Sequence, residues 1–326
     1  MPFPLLFLAA ASAFSLSAAE PGVDQQISLL KAENSSLLRY PTQYTQGIIP
    51  KAIHSHNDYW REVPLLTALS FGAASVEADV WLMDGTLYVG HEVEALTQER
   101  TFDALYVQPL VQIVRSQNPE TPFTVNSSQI KWVHAIPSTY DNNLYSLSGV
   151  FDTSSGTPLQ LLVDIKTDGE EAFPFVVKAL EPLRELGYLT TFSDGNLKKS
   201  AVTVVGTGNT PLDGVKELSP RDVFFDAPLT SLTDTSSNTT WDATLSPLAS
   251  TNYAVAVGWS GIGNISEAQL ANITQFVGDA HSRGITARFW GTPGWPISAR
   301  NNIWRQLADA GADWLNADDL QAASAF

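Results

Sequence analysis

Two carboxylates and an imidazole stand close together in the stretch Ser75–Glu92, SVEADVWLMDGTLYVGHE. Val76, Ala78 and Val80 alternate with Glu77, Asp79 and Trp81. That is the period of a β-strand, so Glu77 and Asp79 share one face. Asp84-Gly85 is a turn dipeptide, and Thr86–Val89 reads as a short returning strand that leads to His91. Paired hard oxygen ligands suit Mg²⁺ or Ca²⁺, and a histidine beside a dication suits proton transfer. A solvated acidic edge strand with an incidental histidine has the same pattern. This stretch alone does not choose between them.

Other strand ends carry similar groups. IHSHNDYW offers His54, His56, Asn57 and Asp58, and LLVDIKTDG offers Asp164 and Lys166 on one strand face. ARFWGTPGW ends in Arg288, Trp290 and Trp295, and DWLNADD supplies Asn316, Asp318 and Asp319. Charges at the ends of apolar strands are costly to bury without partners, so they point to a site rather than to stability. Glu77, Asp79 and Asp164 together make a three-carboxylate cage for one divalent ion, Mg²⁺ or Ca²⁺. His91 and a first-strand histidine, His54 or His56, would serve as acid and as base or nucleophile. Lys166 either holds a phosphate as a point charge or forms an internal ion pair with Asp164 or Glu77. Trp290 is either a wall against an apolar substrate or barrel packing, and with Asn57 it completes the candidate substrate-binding set. His134 and His281 lack such a context and are assigned structural or solvent roles.

The elements that must position these groups alternate along the chain. Strands are expected at Lys51–His54, Ser75–Trp81, Leu161–Lys166, Ala201–Val205, Val223–Asp226, Tyr253–Val257, Ile285–Phe289 and Trp314–Asn316. Helical patterns lie at Gln25–Ala32, Phe102–Ser116, Glu170–Leu186, Ser266–Ser282, Ala299–Ala310 and Asp318–Ala325. Eight strand–helix alternations indicate an α/β fold, a (β/α)₈ TIM barrel spanning 51–326, with its site at the C-terminal strand ends. Asn118–Pro158, between the second and third strands, is too long for an ordinary connection and suggests an inserted hairpin or a capping loop over the mouth. Ser231–Leu248 is a second polar loop. Residues 20–50 read as an N-terminal arm, and 1–19 as a secretory signal with an apolar run from Phe3 to Leu16 and small residues at Ser17, Ala18 and Ala19.

Composition narrows the classes further. The 326 residues contain no cysteine, which excludes disulfides, thiolate metal sites and thiol nucleophiles. A formal charge of −16 argues against nucleic acid and against a basic membrane-binding patch. Sequons at Asn34, Asn126, Asn238, Asn264 and Asn272 fit a secreted, N-glycosylated protein.

The segments IHSHNDYWREVPLL, SVEADVWLMDGTLYVGHE, LYVQPL and LLVDIKTDG resemble the fungal "altered inheritance of mitochondria" proteins. More broadly they resemble the phospholipase-C-like phosphodiesterases, which include glycerophosphodiester phosphodiesterases and the sphingomyelinase D toxins of spider venoms. The likeness is dense over Ala52–Thr167 and thinner beyond, where RFWGTPGW and GADWLNADDL match the last two strands. It implies that Glu77, Asp79 and Asp164 hold Mg²⁺ or Ca²⁺, that His91 and a first-strand histidine act on a phosphodiester, and that Lys166 contacts the phosphate. The chain departs from the glycerophosphodiesterase pattern, with His-Ser-His-Asn-Asp in place of His-Arg-Gly and with Glu92 after His91. The expected activity is a metal-dependent phosphodiesterase acting on a lysophospholipid, sphingolipid or glycerophosphodiester. It would work as a monomer, with transient contact to a membrane surface and without nucleic acid. A glycoside hydrolase using the barrel carboxylates, or a non-catalytic metal-binding barrel, are the rival readings.

Overall fold

The computed structural model describes residues 22–40, 42–121, 147–234, 236 and 238–326. The expected signal segment 1–19, His134 and the sequon at Asn126 lie outside them. Residues 1–40 and 41–326 are two separate units. In the first, the helix Val23–Ala32 matches the pattern of the arm.

The second unit is a parallel barrel. Its strands are β1 (Lys51–Ser55), β2 (Ala73–Met83), β3 (Thr86–Val89), β4 (Leu159–Ile165), β5 (Thr191–Ser193), β6 (Asn196–Lys198), β7 (Val202–Gly208), β8 (Val223–Pro228), β9 (Leu248–Asn252), β10 (Thr286–Trp290) and β11 (Leu315–Ala317). Eight of them pair in the order β10-β9-β8-β7-β4-β2-β1-β11, each pairing parallel. A parallel bridge between Arg288 and Trp314 links the two ends of that order. Strand–helix alternation thus closes into the (β/α)₈ barrel. β3 lies antiparallel on β2, as the Asp84-Gly85 turn requires, and Asp84 and Gly85 both adopt positive φ there.

The barrel interior is layered. Leu162, Val205, Phe224 and Leu248, from four neighbouring strands, pack into a buried apolar cluster. Two residues further along the same strands, and so on the same face, come Asp164, Thr207, Asp226 and Ser250. An apolar plug therefore carries a polar layer above it, at the C-terminal ends.

One expectation is corrected. The sixth strand is Leu248–Asn252, not Tyr253–Val257. YAVAV mimics strand alternation, but Asn252 Oδ1 accepts from the Val255 N–H at 3.2 Å and caps a helical turn over Tyr253–Ala256, leaving Val255 exposed. Of the expected insertion Asn118–Pro158, residues 122–146 lie outside the described residues. It follows the C-terminus of the helix Gln108–Gln117 and precedes β4, so its described ends lie at the N-terminal side of the strands. The Asn118 side chain ties those ends together, donating to Ser148 O and accepting from Ser148 N–H, each at 2.8 Å.

Candidate active site

The register of β2 on β4 sets Asp79 beside Asp164, with Glu77 one pleat below. The three side chains bring carboxylate oxygens within 4.8 Å of one another. Asp79 Oδ1 is covered and has no hydrogen-bond partner among the described residues, and an unpaired buried carboxylate oxygen is costly. Hard oxygens converging around an unsatisfied one suit a Mg²⁺- or Ca²⁺-like cation, so the donor set fits a single divalent ion.

Cations of the chain meet the same oxygens. Lys166 Nζ lies 2.9 Å from Asp79 Oδ2 and 2.8 Å from Asp164 Oδ2, so the ion-pair reading of Lys166 holds, with Asp79 as an added partner. Arg288, itself buried, places Nη2 3.3 Å from Glu77 Oε1 and donates from Nε to Asn316 Oδ1 at 2.9 Å. Asn57 adopts a left-handed backbone conformation, which asparagine tolerates well, and donates its backbone N–H to Glu77 Oε2 at 2.8 Å.

These contacts set the electrostatics. Burial would raise the Glu77 carboxyl, but the facing His54, Arg288 and His56 outweigh it and hold it well below the usual carboxylate range. Burial, then the Glu77 and Asp164 charges, push Asp79 up to about 6 despite Lys166. Asp164 is also raised, chiefly by burial. Burial would lower the Lys166 ammonium, but Asp164 and Asp79 raise it instead. A divalent ion would relieve the mutual repulsion of these carboxylates.

The two first-strand histidines part company. His56 lines the cavity, with Nδ1 2.9 Å from Asp318 Oδ1 and Nε2 3.8 Å from Glu77 Oε2. His54 is fully covered and does not line it. Its Nδ1 lies 2.7 Å from Ser75 Oγ, and burial, followed by Arg288, lowers its pKa to about 3, so it is neutral. His91, at the end of the β2–β3 hairpin, places Nδ1 3.2 Å from Asp79 Oδ2 and 3.0 Å from the Tyr59 hydroxyl, which itself donates to Asp79 Oδ2 at 2.7 Å.

These groups surround a cavity of about 380 Å³ lined by His56, Asn57, Glu77, Asp79, His91, Asp164, Lys166, Thr207, Gly208, Asp226, Arg288 and Trp290. A larger concavity, about 490 Å³ between Gly85, Phe102, Phe175 and Pro182, gathers no such cluster; chemistry rather than volume selects the site. Trp290 is a partly exposed wall, whereas Trp295 is exposed and stands off the cavity. Asp58 is buried and does not line the cavity, accepting from Ser55 Oγ and Leu65 N–H, and Asp319 pairs with Arg300 and caps the last helix. His281 pairs with Asp313 at the surface.

Asp226 and Thr207 were not singled out from sequence. Thr207 Oγ1 donates to Asp226 Oδ2 at 3.1 Å, and burial pushes Asp226 up to about 6. The signal was present: FFDAP ends a strand in a carboxylate, as LLVDI does, and Asp226 follows the plug residue Phe224 by two. Tyr59 was passed over because nothing local reveals that its hydroxyl reaches Asp79 and His91.

A profile of the AIM6-like phosphodiesterase domain matches residues 42–226, more than half of the chain. The chain belongs to this family. It is 42% identical to the altered inheritance of mitochondria protein 6 homolog of Arthroderma benhamiae, over 91% of the chain and 90% of that protein. It is 34% identical to the protein 6 of Eremothecium gossypii, over 84% and 69% respectively, and 33% identical to that of Saccharomyces cerevisiae, over 86% and 72%. A glycerophosphodiester phosphodiesterase from Parabacteroides distasonis superposes with a TM-score of 0.42 at 13% identity, covering 86% of this chain and 98% of that one. The AIM6-like match ends within β8 and so takes in the triad, His56, His91, Lys166 and Asp226, while Arg288, Trp290 and Asp318 lie beyond it.

Proposed function

We propose that this AIM6-like protein is a metal-dependent phosphodiesterase that cleaves a lysophospholipid, sphingolipid or glycerophosphodiester. One observation carries the reading: the carboxylate triad lies between two cavity-lining imidazoles, each with Nδ1 beside an aspartate. Pairing at Nδ1 orients each ring and leaves Nε2 for substrate. Glu77, Asp79 and Asp164 would hold one Mg²⁺ or Ca²⁺, which when bound supplies charge neutralisation at a non-bridging phosphate oxygen.

The chain's own groups account for the rest. His56 or His91 takes the proton of the attacking hydroxyl, or attacks phosphorus itself, and the other gives a proton to the leaving oxygen. Lys166 and Arg288 bring positive charge to a cavity that receives an anion. Trp290 and Asn57 line the approach. Two cations lining the cavity suit an anionic phosphodiester better than a neutral sugar.

Export belongs to the same reading. It is supported by the apolar N-terminal stretch and by the exposure of Asn34, Asn238, Asn264 and Asn272, every sequon asparagine among the described residues. The deciding experiment incubates the purified protein with choline-, ethanolamine- and glycerol-phosphodiesters, with and without EDTA. Turnover that EDTA abolishes and Mg²⁺ or Ca²⁺ restores supports the proposal. Absence of turnover on every substrate, with metal bound, would leave a binding barrel instead.

A further inference from the structure

His54 is a buried imidazole that the proposed chemistry does not use, on β1 two residues before His56, which follows the strand's end. A buried polar group with no task is costly, so its contacts matter. On one side, Gln160 Nε2 donates to Ser75 Oγ at 2.8 Å, and Ser75 Oγ lies 2.7 Å from His54 Nδ1. Ser75 and Gln160 are fully and almost fully buried, on the neighbouring strands β2 and β4, in register with each other. On the other side, His54 Nε2 is covered, has no hydrogen-bond partner among the described residues, and faces Glu77 Oε1 at 3.9 Å.

The donors and acceptors fix a tautomer. The Ser75 hydroxyl accepts from Gln160, and among the contacts found for it His54 Nδ1 is the acceptor for its own proton. A buried hydroxyl proton left without an acceptor is costly, so Ser75 donates to Nδ1. A neutral imidazole that accepts at Nδ1 must carry its proton at Nε2. That N–H is directed at Glu77, less than an ångström beyond hydrogen-bonding distance.

We infer that His54 is a positioning residue: its Nε2–H, set by the Gln160–Ser75–His54 chain, holds the Glu77 carboxylate in the orientation that a divalent cation requires. Glu77 is then anchored at both oxygens. Oε2 accepts the Asn57 N–H, and Oε1 lies 3.3 Å from Arg288 Nη2 with His54 Nε2 facing it at 3.9 Å. Groups behind metal ligands act in this way, and their loss typically weakens metal binding or activity about 10–100-fold. The inference rests on the reading of Glu77 as a metal ligand, and its test separates the two.

Nitrogen-15 NMR of the imidazoles at neutral pH reads the tautomer directly. His54 is expected to be protonated at Nε2 and bare at Nδ1, and its Nε2–H signal is expected to move when Mg²⁺ is added. Calorimetry with Mg²⁺ and Ca²⁺ gives the second readout. His54→Phe keeps the bulk and loses the donor, and should weaken metal binding about 10-fold or more, with saturating metal restoring most of the lost turnover. His54→Gln restores a donor and should recover affinity to within about threefold of wild type. If His54→Phe does not fold, Ser75→Ala releases Nδ1 and should mix the tautomers and weaken metal binding. A proton found at Nδ1 in the wild type overturns the inference, and so does undiminished affinity in His54→Phe. A turnover loss in His54→Phe that saturating metal does not restore, with affinity unchanged, would assign His54 to the chemistry instead. If the wild type binds no metal while the Nε2–H tautomer is present, the metal reading fails and the hydrogen-bond chain stands.

Discussion

His56 Nδ1 lies 2.9 Å from Asp318 Oδ1, joining the end of the first barrel strand to the segment after the last. The bond appears where the barrel closes. Burial would raise Asp318, but the His56 hydrogen bond and the nearby Arg61 outweigh it, so the carboxylate stays ionised at neutral pH and holds the ring with Nε2 toward the cavity. Asp318→Asn keeps the size and removes the charge. Because the side chain is more than half exposed, solvent screens part of the effect. A drop in kcat of about 10-fold, with KM little changed, is expected; His56→Gln should cost about 10²-fold or more. Steady-state kinetics on the best substrate of the phosphodiester panel checks both, and equal losses in the two variants would show that Asp318 does more than orient.

His91 and Glu77 carry the heaviest roles, as acid/base group and as metal ligand. His91→Ala and Glu77→Ala are each expected to lower turnover by at least about 10²-fold, the lower range for lost proton-transfer or electrostatic groups. Circular dichroism should show both variants folded, since His91 is partly exposed and Glu77 lines the polar cavity rather than the apolar plug beneath it. Full activity in both folded variants removes the phosphodiesterase assignment from this cavity.

What the sequence revealed follows local pattern. Glu77, Asp79 and Asp164 were legible because strand alternation fixes the face and apolar neighbours fix the strand. Lys166 was named with both of its alternatives, and the ion pair is what the contacts show. His54 and His56 could not be separated, since alternation puts them on one face and does not say how deep each sits. Burial separates them: His54 is sealed over Ser75 and His56 opens to the cavity. Asp318 was named at a strand end, but its partner is 262 residues away, so its role depends on closure. The sixth strand was misplaced because YAVAV outweighs LASTN in apolar content, and only the Asn252 cap reveals the turn.

Metal should also be visible in stability. Asp79 and Asp164 are both raised, Asp79 to about 6, by burial and by charges that include Glu77. An ion bound among them stabilises the folded state by mass action, about 2.7 kcal/mol at a hundredfold excess over Kd. The melting temperature should rise with Mg²⁺ or Ca²⁺ and return with EDTA, and Asp164→Asn should flatten the response. Differential scanning fluorimetry across a metal titration measures it. A wild type whose melting temperature ignores both ions would argue against the cage.

The buried His54 should leave a mark on acid stability in EDTA. Its pKa falls from 6.5 to about 3, first by burial and then by Arg288. Between those values the unfolded chain binds a proton at this histidine that the folded chain does not. Stability contributed at this position is therefore complete above about pH 6.5 and lost as pH falls toward 3, to a ceiling of about 5 kcal/mol. Asp79 and Asp226, both raised to about 6, act in the opposite sense, since the folded chain holds their protons more tightly as pH falls from 6 toward 4. The wild-type curve mixes the two signs, so the informative quantity is the difference from His54→Gln, which has no imidazole to protonate. Urea unfolding at several pH values should show the variant gaining on the wild type by a few kcal/mol as pH drops from 6.5 to 4. A difference independent of pH would mean that His54 takes up its proton without unfolding, and that the interior beneath Glu77 is wetter than the packing shows.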